Sequence, residues 1–103
     1  MAAILSVTTT RVRDGKWEEA LAAYGKLKEI LQRLGGKTRI ITQTSGASPG
    51  TVSVVVELAS WTEFGAFGEK AEKDSEYQSL VAAIRANPFS DIVQRSISTE
   101  LDV

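Results

Sequence analysis

Apolar residues recur at helical spacing in the segment from Trp17 to Leu34, which lies between two stretches rich in β-branched residues. Gly35-Gly36 follows directly, and glycine readily takes the left-handed conformation that ends a helix. Asp14 precedes the segment and is suited to cap the first free backbone amides. The stripe comprises Trp17, Leu21, Tyr24, Leu27, Leu31 and Leu34. This pattern predicts a long amphipathic helix between two strands, with Trp17 and Tyr24 in the core.

The rest of the chain predicts a hairpin, an interrupted helix and a last strand. Residues 37–45 and 51–59 have strand composition, and the turn-forming residues 46–50 between them predict a hairpin. Ser60 and Glu63 match a capping box that opens a second helix. Asp74 or Ser75 is placed to begin a third helix, which Asn87-Pro88 ends. Residues 91–101 are then predicted to form the final strand.

The order β-α-β-β-α-β predicts an α+β, ferredoxin-like fold, a four-stranded antiparallel sheet with its helices on one face. In the third strand, residues 52, 54, 56 and 58 are apolar and should face the helices. In the first strand, Leu5 and Val7 are assigned to the helix side. The open face then carries Ile4, Ser6, Thr8, Thr10 and Val55. Because an exposed face more often carries Lys and Glu, this composition predicts a face covered by a ligand, a second subunit or both.

Composition excludes several functions. At 103 residues the chain is expected to be one domain, residues 1–103. Its net charge of -1 argues against nucleic-acid binding, which needs a basic surface. The absence of cysteine excludes disulfides and agrees with a reducing, cytoplasmic setting. The absence of histidine excludes an imidazole base and a histidine haem ligand.

No acidic cluster has the spacing of a metal site, so no metal is expected. No cofactor is expected, and no membrane partner is expected either. The amino terminus, from Met1 to Ser6, lacks the features of a signal peptide, and no apolar run approaches the ~20 residues that span a bilayer.

Three stretches carry a resemblance to a known superfamily. They are Val56–Phe64 (VELASWTEF), Lys73–Gln78 (KDSEYQ) and Asn87–Phe89 (NPF). With the element order, they resemble the dimeric α+β-barrel superfamily, which includes NIPSNAP-like proteins and antibiotic-biosynthesis monooxygenases. The resemblance implies a homodimer in which two open sheet faces meet as a barrel, with small-molecule pockets between sheet and helices. Haem-degrading members of that superfamily rely on a histidine, which this chain lacks.

Two residues are candidates for chemistry. Glu57 interrupts a run of valines, and partial desolvation there would disfavour its ionised form and suit it to act as a base. Alternatively, Glu57 pairs with Arg39 or Arg95. Trp61 follows the third strand, where it either stacks on a flat ligand or anchors the next helix in the core.

Four hydroxyl residues complete the candidate ligand-binding set: Ser6, Thr8, Ser53 and Ser96. No base is positioned to activate them, so hydrogen bonding to a ligand is their expected role. The predicted function is a homodimer that binds a small, largely apolar molecule in a pocket on the open sheet face. Two alternatives remain: a cofactor-independent monooxygenase or isomerase using Glu57, Trp61 and Asn87, and a structural or regulatory dimer without a ligand. The sequence does not decide whether the protein is an enzyme.

Overall fold

The computed structural model describes residues 3–47 and 49–103. Met1 and Ala2, at the amino terminus assessed above, and Ser48, in the predicted turn, lie outside the described residues. The elements are β1 (Ile4–Val12), α1 (Trp17–Arg33), β2 (Lys37–Thr42), β3 (Thr51–Leu58), α2 (Trp61–Lys73), α3 (Ser75–Ala86) and β4 (Ser90–Thr99). Their order is the predicted one, although β2 and β4 both end earlier than expected. Within the described residues, no helix is long and apolar enough to cross a membrane.

The four strands form one antiparallel sheet in the order β2-β3-β1-β4. Because β1 lies between β3 and β4, the α1 connection passes over β3 and the α2–α3 connection passes over β1, as in a ferredoxin-like fold. The predicted α+β class and the β2–β3 hairpin are therefore confirmed. The β1–β4 register shifts by one residue between Thr9 and Thr10.

Side-chain caps explain where two of the helices begin. The Ser60 hydroxyl accepts a hydrogen bond from the Glu63 amide at 3.1 Å, and the Glu63 carboxylate accepts one from the Ala59 amide at 3.2 Å. The Ser60 cap of the predicted capping box is therefore confirmed, but Glu63 bonds the amide of Ala59, one residue before the N-cap, and not the amide of Ser60. Asp74 accepts from the Tyr77 amide at 2.8 Å and begins α3. The prediction that Asp14 caps α1 is wrong. The helix begins after Lys16, and Lys16 makes no side-chain capping bond.

The core lies between the helices and the β2–β3 half of the sheet. Its main cluster contains Ala20, Tyr24, Leu31, Val52, Val54, Val56, Leu58 and Phe89. The alternation predicted for β3 is thus confirmed, as is burial of Tyr24. Trp17 is 46% exposed, so its assignment to the core is wrong. It is the first residue of α1 and has no preceding turn of helix to shield it.

The assignment of the β1 faces is also wrong. Thr8 lies opposite Val54 and Thr10 opposite Val52, and directly opposed residues of an antiparallel sheet share a face. The Thr10 hydroxyl lies 2.5 Å from the Tyr24 hydroxyl of α1 and donates to the Val52 carbonyl at 3.0 Å. The residues on the helix side are therefore Ile4, Ser6, Thr8 and Thr10, while Leu5, Val7 and Thr9 lie on the open face. These bonds satisfy the buried hydroxyl, so threonine is tolerated where the hydropathy pattern favoured Leu5 and Val7.

Candidate ligand-binding groove

A groove of ≈ 420 Å³ lies along β1 and β4, lined by Ser6, Thr8, Arg95, Ser96 and Ile97. It exists because α1 packs on β2 and α2 on β3, which leaves the β4 side of the sheet less covered. Ser6 and Thr8 are half-buried, whereas Ile97 is 54% exposed. A volume of this size is in the range that accommodates small organic ligands.

The register places four of the five groove residues in two adjacent cross-strand pairs; the fifth, Ser96, pairs with Val7. Thr8 is opposite Arg95, and Ser6 is opposite Ile97. Each pair combines a hydroxyl from β1 with a longer side chain from β4. The groove thus offers two hydroxyls that donate or accept hydrogen bonds, one guanidinium that only donates, and one apolar side chain.

Arg95 is the one charged residue on the helix-facing side of the described strands. The other charged strand residues on paired positions lie on the open face: Arg11, Lys37, Arg39, Glu57 and Asp91. Arg95 makes no ion pair within the described part of the chain, residues 3–47 and 49–103. Its guanidinium donors are therefore free of carboxylate partners there.

Two carboxylates elsewhere in the structure form ion pairs with arginines other than Arg95. Arg13 donates to both oxygens of Asp91, at 2.8 and 3.1 Å, and this bonding holds the pKa of Asp91 below its ordinary value. Arg33 donates to Asp74 at 2.9 Å, which with the Tyr77 amide bond lowers the pKa of Asp74 as well. Both carboxylates stay ionised at neutral pH and are already paired, so neither serves as a partner for Arg95.

A second depression, of ≈ 460 Å³, lies on the open face and at the β2–β3 hairpin. It is lined by Thr9, Ile41, Thr42, Gln43, Ala47, Thr51, Ser53 and Gln94. The Thr9 and Ser53 hydroxyls form a cross-strand hydrogen bond of 2.8 Å at its floor. None of its described lining residues is charged, which distinguishes it from the groove.

Glu57 is also on the open face, opposite Leu5 and Lys37 in the register. Its carboxylate accepts a hydrogen bond from Arg39 at 3.5 Å, which confirms the pairing alternative for this residue. Since Ser6 and Thr8 lie on the other side of the sheet, Glu57 does not share a site with them. The expectation of a single pocket containing all three residues is wrong.

Trp61 is the first residue of α2 and is 59% exposed. Its ring meets Phe64 edge-on, with centroids 5.9 Å apart, and Phe64 packs against the main core. Trp61 lines neither the groove nor the open-face depression. The structure thus places it beside the core rather than over a described cavity.

The six candidate ligand residues are therefore divided by the sheet. Ser6 and Thr8 line the groove with their side chains, whereas Ser96 borders it but pairs with Val7, so its side chain lies on the open face. Ser53 lines the open-face depression, and Glu57 and Trp61 line neither cavity. Sequence reasoning missed Arg95 and Ile97 as site residues. A signal was present, because an arginine two residues before an isoleucine places a cation and an apolar group on one strand face.

Comparison with solved structures supports the fold. A NIPSNAP domain protein from Burkholderia xenovorans is 20% identical, with a TM-score of 0.74 over 97% of this chain and 94% of its own. A NIPSNAP family protein from Agrobacterium tumefaciens is 18% identical, with a TM-score of 0.71 over 98% and 93%. SnoaB, a cofactor-independent oxygenase from Streptomyces nogalater, is 11% identical, with a TM-score of 0.71 over 100% and 97%.

No known sequence family and no curated protein sequence matches the chain. At these identities the structural matches establish the fold and not the activity. The resemblance drawn from residues 56–64, 73–78 and 87–89 is confirmed at that level. This chain has the ferredoxin-like α+β fold of NIPSNAP domain proteins and of antibiotic-biosynthesis-monooxygenase-like proteins.

Proposed function

We propose that the protein is a homodimer that binds a small, largely apolar molecule in the groove along β1 and β4. The observation that carries this proposal is the groove itself, which combines hydroxyls and a cation with the half-exposed Ile97. Pockets with an apolar wall and a few convergent polar groups are the usual form of a small-molecule site. The groove replaces the open face as the proposed ligand site, because Ser6 and Thr8 belong to the helix side.

The open face is the proposed dimer interface. The helices pack on the opposite side, through Val52, Val54 and Val56, and leave this face uncovered within the described residues. Its central strands carry the half-buried Leu5 and Val7, with the half-exposed Ile41 at the β2 edge; Val55, between them, is already buried within the subunit. Four strands spaced by ~4.8 Å and ~26 Å long give a face of roughly 500 Å². Two such faces together reach the ~1,000 Å² that is the lower bound for a specific interface.

A cofactor-independent oxygenase is the second candidate function. It is supported by the structural similarity to SnoaB, which is a cofactor-independent oxygenase. The absence of His and Cys is compatible with this candidate, since the substrate itself can supply the reactivity. An oxygen-consuming reaction with a ligand identified from the groove would favour this candidate over simple binding.

Native mass spectrometry of the protein freshly purified from cells tests the main proposal. We expect a dimer that carries a reproducible extra mass lost on denaturation. A bare dimer would favour the structural or regulatory alternative, with no ligand. A monomer at micromolar concentration would refute the proposed dimer.

A matched pair of substitutions tests the interface. Ile41→Asp places a charge on the open face, and Leu21→Asp places the same charge at a half-exposed position of α1. The two side chains are equally exposed, at 53% and 50%, so the intrinsic cost to the subunit is similar. We expect Ile41→Asp to give a monomer in sedimentation velocity, since an unpaired charge in an apolar interface is strongly disfavoured. Leu21→Asp should remain a dimer. Dimers from both variants would place the interface elsewhere.

A further inference from the structure

We infer that the groove selects small molecules with one negative charge, and that Arg95 is the residue that binds the anionic group. This inference rests on the proposed function, because it names the ligand class of the same groove. The ligand is a carboxylate joined to an apolar body. The groove would then discriminate against a neutral molecule of the same shape.

The distribution of charge across the sheet is the first argument. The acidic strand residues Glu57 and Asp91 face the open side, where Arg39 and Arg13 pair with them. Among the described strand residues, Arg95 is the one charged residue on the helix-facing side. A cation beside a low-dielectric protein wall raises the local concentration of anions and not of neutral molecules.

The register supplies the second argument, because it brings a hydroxyl to the same anionic group. Thr8 lies directly opposite Arg95, so their Cβ atoms are about 5 Å apart. One carboxylate can therefore accept hydrogen bonds from the guanidinium and from the Thr8 hydroxyl. Arginine presents a planar fork of donors that matches a carboxylate in two parallel bonds.

The apolar part of the ligand has a defined direction from this anchor. Ile97 and Ser6 form the next pair on the same face, about 7 Å further along the strands. A ligand anchored at Arg95 would lay its apolar body over Ile97, while the Ser6 hydroxyl contacts a polar substituent. The groove therefore has a charged end and an apolar end, as expected for an amphipathic acid.

Two probes of nearly the same shape separate charge from apolar contact. 1-Anilinonaphthalene-8-sulfonate carries one negative charge, and N-phenyl-1-naphthylamine is its uncharged counterpart. Fluorescence titration of the full chain measures the affinity for each probe. We expect the anionic probe to bind more tightly, with an affinity that falls as ionic strength rises.

Three substitutions then locate the effect. Arg95→Gln should weaken the anionic probe roughly tenfold, which corresponds to about 1.4 kcal/mol for one charge-assisted bond, and leave the neutral probe unchanged. Lys28→Gln is the matched control. It removes one positive charge from α1, which packs on β2 at the opposite edge of the sheet from β4, at a lysine that makes no described ion pair. It should leave both probes unchanged. Ile97→Ser should weaken both probes.

The outcomes distinguish this inference from the proposed function. If Ile97→Ser weakens both probes but Arg95→Gln weakens neither, the groove binds small molecules without selecting anions, and the inference is refuted alone. If neither probe responds to Ile97→Ser, the groove is not the binding site and both statements fail. Equal losses from Arg95→Gln and Lys28→Gln would show a general effect of net charge and also refute the role of Arg95.

Discussion

Gly36 lies where the chain leaves α1 and enters β2. Of the described glycines, it has the least room for a side chain. A Cβ at this position would lie 2.5 Å from Cγ1 of Val56 and 2.9 Å from Cε2 of Phe67. Carbon atoms in contact normally sit ~3.5–4.0 Å apart. Substitution by alanine therefore requires movement of one residue on β3 and one on α2. We predict that Gly36→Ala destabilises the protein.

The magnitude follows from how little these neighbours can move. Val56 is buried and β-branched, so its χ1 angle is restricted. Overpacking of this kind costs about 1–3 kcal/mol. Alanine also lowers the conformational entropy of the unfolded chain, which offsets about 0.4–1 kcal/mol of this cost. We expect a net loss of roughly 1–2 kcal/mol, which corresponds to a fall in Tm on the order of 4–16 °C for a chain of this size.

Gly25→Ala is the matched control, because Gly25 lies inside α1 and a Cβ added there would meet no atom within 4 Å. Alanine at this position should stabilise the protein by about 1 kcal/mol through helix propensity. Urea denaturation of both variants, followed by circular dichroism, gives the free energies of unfolding. A Gly36→Ala variant as stable as wild type, beside a stabilised Gly25→Ala, would refute the close approach of Gly36 to β3 and α2.

Two further predictions concern helix starts and pH. Ser60→Ala should lower the free energy of unfolding by about 1 kcal/mol, since the Glu63 amide loses its cap, and urea denaturation measures the change. Asp74→Asn keeps the capping oxygen but removes the charge that pairs with Arg33, so it should be less stable than wild type at pH 7. Because the folded pKa of Asp74 is lowered, that difference should persist above about pH 4 and vanish as the pH falls through the folded pKa. A difference that stays constant down to pH 2 would contradict the ion-pair explanation.

The order of the elements could be predicted because each segment has a strong local signal. The β3 valines alternate between faces, Ser60 and Asp74 provide caps, and Gly35 ends α1 with a positive φ of 104°. Each signal depends on residues close in sequence. Asp14 failed as a cap because the chain between it and Trp17 is a turn, with Gly15 at a φ of 77°.

The faces of β1 could not be predicted from the sequence, for a physical reason. Both sets of alternating residues in β1 mix hydroxyl and aliphatic side chains, so hydropathy does not separate them. The deciding contact is the hydrogen bond between Thr10 and Tyr24, two residues that belong to different elements. A register error of one residue moves every side chain to the other face. The candidate site was therefore divided, with Ser6 and Thr8 on one side of the sheet and Glu57 and Ser53 on the other.

This division gives the two faces of the sheet separate proposed tasks, which can be tested independently. The open face pairs its acidic residues, as in Glu57 with Arg39, and presents Ile41 for self-association. The helix-facing side presents Arg95, which has no carboxylate partner among the described residues, to a ligand. If the two roles are separate, Ile41→Asp should convert the dimer to a monomer without changing the probe affinity of each subunit. Arg95→Gln should weaken binding of the anionic probe and leave the dimer intact. If Ile41→Asp also abolishes probe binding, each groove requires the partner subunit, and ligand binding would then be coupled to assembly.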